Sequence, residues 1–86
     1  MYLKINNVTP IENYKLILEY SDGDIRIFDM QPYLNKGIFE ELKDKNIFNS
    51  VKPCYDSVIW SNNADIDPDV LYENSVPYRG SISIQS

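Results

Sequence analysis

Histidine is absent from this sequence of 86 residues, and cysteine occurs once, as Cys54. A catalytic serine or thiol needs an activating base, so Ser-His-Asp and Cys-His sites are excluded. A single cysteine cannot form an intrachain disulfide, and we expect Cys54 to be a small buried or half-buried apolar residue. The three glycines, Gly23, Gly37 and Gly80, are isolated from one another, so no glycine-rich phosphate-binding loop is present.

Basic residues are scarce as well. Eight Lys and Arg stand against 13 Asp and Glu, which gives a net charge of −5. The densest basic pair, Lys43 and Lys45, is surrounded by Glu40, Glu41 and Asp44. Nucleic-acid binding needs a basic face that displaces counterions, so we expect no direct contact with nucleic acid. An acidic surface suits a basic partner protein, although mild acidity also serves solubility.

Long apolar runs are missing too. No run approaches the length that spans a bilayer, and the first seven residues lack the apolar core and the cleavage site of a signal peptide. We therefore expect a cytoplasmic protein without membrane association. The hydrophobic fraction of 43% and the aromatic fraction of 13% are typical of a folded globule. A chain of this length has room for one hydrophobic core.

The clearest local pattern predicts a β-hairpin near the N-terminus. The segment Tyr14–Tyr20 places Tyr14, Leu16, Leu18 and Tyr20 on one face, and Ile25–Asp29 is rich in strand-forming residues. Asp22-Gly23 between them predicts a tight type I′ turn, which requires positive φ angles. A looser alternation over Tyr2–Val8 predicts a first strand that ends at Thr9-Pro10.

The rest of the chain predicts short elements. Ile38–Lys43 has helical spacing, Val51–Tyr55 is an edge strand because Pro53 lacks an amide donor, and Val58–Trp60 is a further strand. After an Asn62-Asn63 turn, Asp67 caps a helix that begins at Pro68 and ends near residue 74. The fold class is α+β: a small antiparallel sheet of about five strands with two short helices. Residues 1–74 form the domain, and residues 75–86 form a tail that frays or docks on a partner or a second copy.

Asp65, Asp67 and Asp69 are the sharpest chemical candidates. Alternating carboxylates resemble a calcium loop, but no glycine allows its bend and no glutamate stands at its twelfth position. Paired carboxylates also run acid–base hydrolysis, which needs a cleft that perturbs one pKa. A metal-binding or hydrolytic domain centred on these residues is therefore the alternative hypothesis. We favour turn and helix-cap roles, with no catalytic residue, metal or cofactor.

Aromatic residues give the candidates for partner binding. Trp60 either anchors the core between sheet and helix or lies at the rim of a groove that recognises a partner. Tyrosine is common at protein–protein interfaces because one end of its side chain is apolar and the other polar. The partner-binding candidates are Trp60, Tyr55, Tyr72, Tyr33 and Tyr78.

Several short motifs follow one another in a specific order: Tyr14-x-Leu16-x-Leu18, Asp22-Gly23, Phe28-Asp29 followed by Leu34, Gly37-x-Phe39-x-x-Leu42, Phe48, and Ile59-Trp60-x-x-x-x-Asp65-Ile66-x-Pro68-x-x-Leu71-Tyr72. Over about residues 3 to 73 the chain resembles the uncharacterised bacterial domain-of-unknown-function family 2442. It departs from the family pattern at Asn62-Asn63, where members often carry a glycine, and in the tail beyond Glu73.

The resemblance implies a small α+β fold in which an antiparallel sheet carries short helices. Some relatives resemble the N-terminal domain of bacterial proteins with a helix-turn-helix domain, and others are free-standing and encoded beside another small protein. That context implies partner binding or regulation, as in one half of a toxin–antitoxin-like pair. No catalytic residue is carried over, and Asp29 and Asp65 are equally turn and cap residues.

We therefore predict a small cytoplasmic domain that is not an enzyme and that binds another protein, such as the product of a neighbouring gene. An acidic decoy that blocks a basic nucleic-acid-binding surface is a further alternative. Strand pairing through Val51–Tyr55 or Ile82–Ile84 would produce a homodimer.

Overall fold

A computed structural model of the protein describes residues 3–78, and every structural statement below concerns this part of the chain. A four-stranded antiparallel sheet has the order β1-β2-β3-β6, and β4 and β5 form a second sheet. The strands are β1 (Ile5–Ile11), β2 (Lys15–Tyr20), β3 (Ile25–Asp29), β4 (Lys52–Cys54), β5 (Ser57–Ile59) and β6 (Val76–Pro77). The α-helices are α1 (Lys45–Phe48) and α2 (Pro68–Glu73), and 3₁₀ helices span Glu12–Tyr14, Gln31–Tyr33 and Gly37–Lys43. The predicted α+β class is confirmed, with six strands in two sheets rather than about five in one.

The predicted hairpin is β2 and β3, but its turn differs from the prediction. Gly23 has a φ of 89°, whereas Asp22 does not have a positive φ. Gly23 N donates to Tyr20 O at 2.9 Å, and Tyr20 N donates to Asp24 O at 2.9 Å. This is a three-residue connection closed by a left-handed glycine, so the type I′ prediction is wrong. The Asp22 carboxylate accepts from Asp24 N at 3.0 Å and stabilises this form of the turn.

Strand β1 continues through Pro10, so the predicted strand end at Thr9-Pro10 is wrong. β1 lies at the edge of the four-stranded sheet, where the missing amide donor of a proline is tolerated. Pro77 lies in β6 at the opposite edge, and Pro53 lies in β4 of the two-stranded sheet. The prediction that Pro53 marks an edge strand agrees with this topology.

The predicted helix over Ile38–Lys43 is a 3₁₀ helix, Gly37–Lys43, and Leu42 in it is fully buried. Helix α1 follows directly after Asp44. The Asp44 side chain accepts from Asn46 N at 2.9 Å and caps that helix, because a carboxylate satisfies a free amide of the first turn.

The hydrophobic core lies between one face of the four-stranded sheet and the segments that follow β3. Trp60 is 1% exposed, and its indole N–H donates to Phe48 O at 3.0 Å. It therefore occupies the centre of the core, as the core interpretation of this residue predicted. The largest fully buried side chains are Trp60, Tyr20, Phe28, Leu16, Leu18, Met30, Leu42, Leu71 and Val58.

The described structure continues beyond residue 74, where we placed the end of the domain. Ser75 is 3% exposed and accepts from Arg26 Nε at 2.6 Å. Val76 pairs with Ile27, and Tyr78 N donates to Ile25 O at 2.9 Å. Residues 75–78 thus pack on β3, and the predicted Ile82–Ile84 segment lies outside the described residues. No helix within residues 3–78 is long and apolar enough to cross a membrane.

Candidate functional site

Helix α2 begins as the sequence predicts. The Asp67 carboxylate accepts from Asp69 N at 2.8 Å and from Val70 N at 3.4 Å, and Pro68 follows at the first helical position. Asp69 and Glu73 lie four residues apart, so their side chains share one face of the helix. Both are exposed, and this face borders a cleft.

The cleft has a volume of about 310 Å³ and is formed by four separate segments of the chain. They are the segment before β1, the end of β2, the turn between β4 and β5, and helix α2. Its wall combines two apolar side chains, two tyrosines and three carboxylates: Leu3 and Pro68, Tyr20 and Tyr72, and Asp56, Asp69 and Glu73. We refer to it below as the acidic cleft.

Tyr20 is the most unusual residue of the acidic cleft. It is 2% exposed, yet its hydroxyl makes no hydrogen bond within residues 3–78. Burial raises the pKa of Tyr20 to about 12, and the charges of Asp24 and Asp56 add to this against the opposing charge of Arg26. The hydroxyl is therefore neutral at physiological pH and has both a donor and acceptor lone pairs to offer.

Arg26 lies next to the cleft, but its guanidinium already interacts with other groups of the protein. Its guanidinium donates to Asp24 at 3.2 Å and to the Ser75 carbonyl at 3.0 Å, and it lies 4.4 Å from the centre of the Tyr72 ring. The Arg26–Asp24 contact is the one ion pair found within residues 3–78. The three carboxylates of the acidic cleft thus have no cationic partner in the described part of the chain, and the cleft is negatively charged.

The spacing of the carboxylates decides between a metal ion and an ammonium group as the cation that fits the cleft. Within residues 3–78, no group of three or more Asp, Glu or Cys side chains is close enough to hold a metal ion. The carboxylates surround the cleft rather than converge on a point. An ammonium group on a carbon chain fits better, because its stem can lie on Tyr72 and Leu3 while its three N–H groups reach separate acceptors.

The three candidate aspartates do not form one site. Asp67 is the cap of α2, and Asp69 lines the acidic cleft. Asp65 makes no side-chain hydrogen bond within the described residues. It lies with Asp67 at a separate pocket of about 250 Å³ that Tyr33 and Phe39 also line.

The five aromatic candidates are distributed over several places. Trp60 is buried in the core, so its ring is not part of a surface groove. Tyr72, at 38% exposed, lines the acidic cleft, and Tyr55, at 81% exposed, directly precedes Asp56 of the cleft. Tyr33 lines the separate pocket, and Tyr78 is half-buried beside β3.

Sequence reasoning missed Asp56 and Glu73 as members of a site, and it did not place Tyr20 among the chosen partner-binding candidates. The alternation in β2 does place Tyr20 on the same face as Leu16 and Leu18, which is a signal for burial. No comparable signal brings Asp56 next to α2, because their contact depends on how the second sheet packs against the first.

One family of proteins matches the chain over residues 5–77, and its description is "Protein of unknown function (DUF2442)". This match covers most of the described fold, including all of the acidic cleft except Leu3. Neither a curated protein nor a solved structure matches the chain.

Proposed function

The chain belongs to the family of proteins of unknown function DUF2442, and we propose that it is a protein-binding module whose acidic cleft receives a lysine side chain of a partner protein. The observation that carries the proposal concerns residues 3–78: within them, a buried tyrosine hydroxyl has no hydrogen bond and the three carboxylates beside it have no cationic partner. A basic regulatory partner, such as the other member of a toxin–antitoxin-like pair encoded nearby, would fit this charge.

The energetics of the acidic cleft support the binding of a cation. A buried hydroxyl without a hydrogen bond destabilises the folded protein by about 1–3 kcal/mol. The three carboxylates also give the cleft a negative charge that no cation within residues 3–78 balances. A lysine ammonium that enters the cleft would neutralise Asp69 and Glu73. After a small movement of the lining side chains it would also donate to the Tyr20 oxygen, which is buried in the free protein. The binding free energy then includes the relief of an unfavourable term of the free protein in addition to the new contacts.

Tyr55 provides a second line of support beside the cleft. Its φ of 54° lies in the left-handed region, which is unfavourable for a tyrosine, and Ile5 N donates to its carbonyl at 2.8 Å. Strained backbone is retained where the surrounding structure holds it, often at binding sites. An exposed aromatic side chain in such a turn, next to Asp56, suits contact with the surface around a partner's lysine.

The test uses the full chain labelled with ¹⁵N and two capped glycine-flanked tripeptides as probes. One carries a central lysine, and the other carries norleucine, which has nearly the same carbon chain without the charge. We expect the lysine peptide to shift the amide resonances of Leu3, Tyr20, Asp56 and Tyr72 and the norleucine peptide to leave them in place. Equal shifts with both peptides, or none with either, would contradict the proposal.

A matched pair of variants assigns the binding to the cleft. Asp69→Asn should weaken the lysine peptide by roughly threefold to tenfold, because a partly exposed charge pair contributes up to about 1 kcal/mol or slightly more. Glu40→Gln removes the same charge from an exposed residue outside the cleft and should have little effect. Similar losses in both variants would mean that the peptide responds only to net charge.

A further inference from the structure

The outer face of the four-stranded sheet carries a row of apolar side chains that the core does not use. Ile17 of β2 is in register with Ile27 of β3, which is in register with Val76 of β6. None of these three belongs to the core cluster or packs against it, and Val76 is 56% exposed. Ile25 and Tyr78 extend the patch on the same face, because residues two apart in a strand point to the same side. Ile17, Ile25, Ile27 and Tyr78 are half-buried, and none of them packs against the core cluster.

Two charges flank the row on β2. Lys15 lies two residues before Ile17 and Glu19 lies two residues after it, so all three share the outer face. Neither charged side chain forms an ion pair within residues 3–78. The Asp29 carboxylate, whose residue is in register with Lys15, accepts instead from Gln31 N at 2.9 Å.

We infer that this outer face is a homodimer interface in which a second copy packs face to face about a two-fold axis over Ile17. An axis that lies across the strands reverses their direction in the second copy. The row of Ile17, Ile27 and Val76 then packs on its own equivalent, and Lys15 of each copy faces Glu19 of the other. In this arrangement apolar side chains meet apolar side chains and opposite charges meet each other. An isologous interface requires such self-complementarity.

The alternative of strand pairing at an edge is less suitable. The edge strands β1 and β6 carry Pro10 and Pro77, and β4 carries Pro53, so each lacks one amide donor for a new ladder. Packing of two sheets face to face needs no free edge and buries alternate side chains of both copies. The acidic cleft lies on the opposite side of the sheet, at Tyr20, so the dimer and the lysine site are independent of each other.

Sedimentation equilibrium of the full chain over micromolar to millimolar concentrations tests the interface. The wild type should approach twice the chain mass of 10.0 kDa. Lys15→Glu and Glu19→Lys should each weaken the dimer by about tenfold or more, because each places two pairs of like charges in contact. The double variant Lys15→Glu/Glu19→Lys re-creates both opposite-charge pairs and should return to within about threefold of the wild type.

Lys43→Glu is the matched control, since it makes the same charge reversal at an exposed residue outside the outer face. Circular dichroism checks that every variant is folded, as expected for side chains that lie outside the core. A wild type that stays monomeric would overturn the inference. Coverage of the outer face by residues 79–86 of the same chain would give that result. A dimer that the charge reversals leave intact, or a double variant that fails to recover, would also overturn the inference.

Discussion

Tyr20 shows how one side chain serves both the core and the site. Its ring contacts Tyr72 edge to face at 5.3 Å between centroids, while its buried hydroxyl makes no hydrogen bond to any of residues 3–78. We expect Tyr20→Phe to raise the free energy of unfolding by about 1 kcal/mol, because it removes an unsatisfied polar group. The same change should weaken the lysine peptide. Urea denaturation and the peptide titration measure the two effects.

Tyr33→Phe is the control for that variant. Tyr33 is half-exposed, so water can satisfy its hydroxyl, and the free energy of unfolding should change by less than about 0.5 kcal/mol. Equal stabilisation in both variants would show that the Tyr20 hydroxyl carries no special cost.

The raised pKa of Tyr20 predicts a loss of stability at alkaline pH. An unfolded tyrosine ionises near pH 10, whereas burial raises the pKa of Tyr20 to about 12 in the folded protein. Between these values the unfolded chain releases a proton that the folded chain keeps, so the contribution present below pH 10 falls as the pH rises towards 12. Between about pH 8 and pH 11, the free energy of unfolding should fall further in the wild type than in Tyr20→Phe. Parallel profiles would refute this.

Helix α2 is short and depends on its cap. Asp67→Ala removes the acceptor for Asp69 N and Val70 N, and we expect the protein to lose about 1 kcal/mol of stability. Because α2 carries Asp69 and Glu73, affinity for the lysine peptide should fall with it. Thermal and urea unfolding, together with the peptide titration, measure both losses.

Asp65→Ala provides the comparison, since Asp65 is exposed and makes no side-chain hydrogen bond within the described chain. Its cost should stay below about 0.5 kcal/mol. If both aspartates cost the same, a shared role such as cation binding would replace the cap.

Local signals predicted the elements that local chemistry stabilises. Asp67-Pro68 starts α2 because one carboxylate and one fixed φ angle determine a helix end. The hairpin at Asp22-Gly23 was predictable because a glycine readily adopts the positive φ that a tight turn requires. The type of turn was not predicted, and a contact between the Asp22 carboxylate and Asp24 N accompanies the type observed. The predicted end of β1 at Thr9-Pro10 was wrong because a proline can continue a strand that lies at the edge of a sheet. Whether a strand lies at an edge is decided by tertiary structure.

Across the whole molecule, the acidic cleft was beyond prediction for a physical reason. Tyr20, Asp56 and Glu73 come from β2, the β4–β5 turn and α2, and only the packing of two sheets and a helix brings them together. The sequence did indicate an acidic surface, and Tyr72, one of the predicted partner-binding candidates, lines the cleft. For Trp60 the sequence left two interpretations open, the core and the rim of a groove, and the structure places this largest apolar side chain in the core.

The prolines of the edge strands have a consequence for behaviour at high concentration. A cross-β fibril grows when an exposed strand edge templates the next chain through an unbroken ladder of main-chain hydrogen bonds. Pro10, Pro53 and Pro77 interrupt that ladder in β1, β4 and β6. Natural sheets use edge prolines to avoid such templating. The fold can therefore present a wide apolar sheet face to a second copy while its edges at β1, β4 and β6 resist open-ended polymerisation.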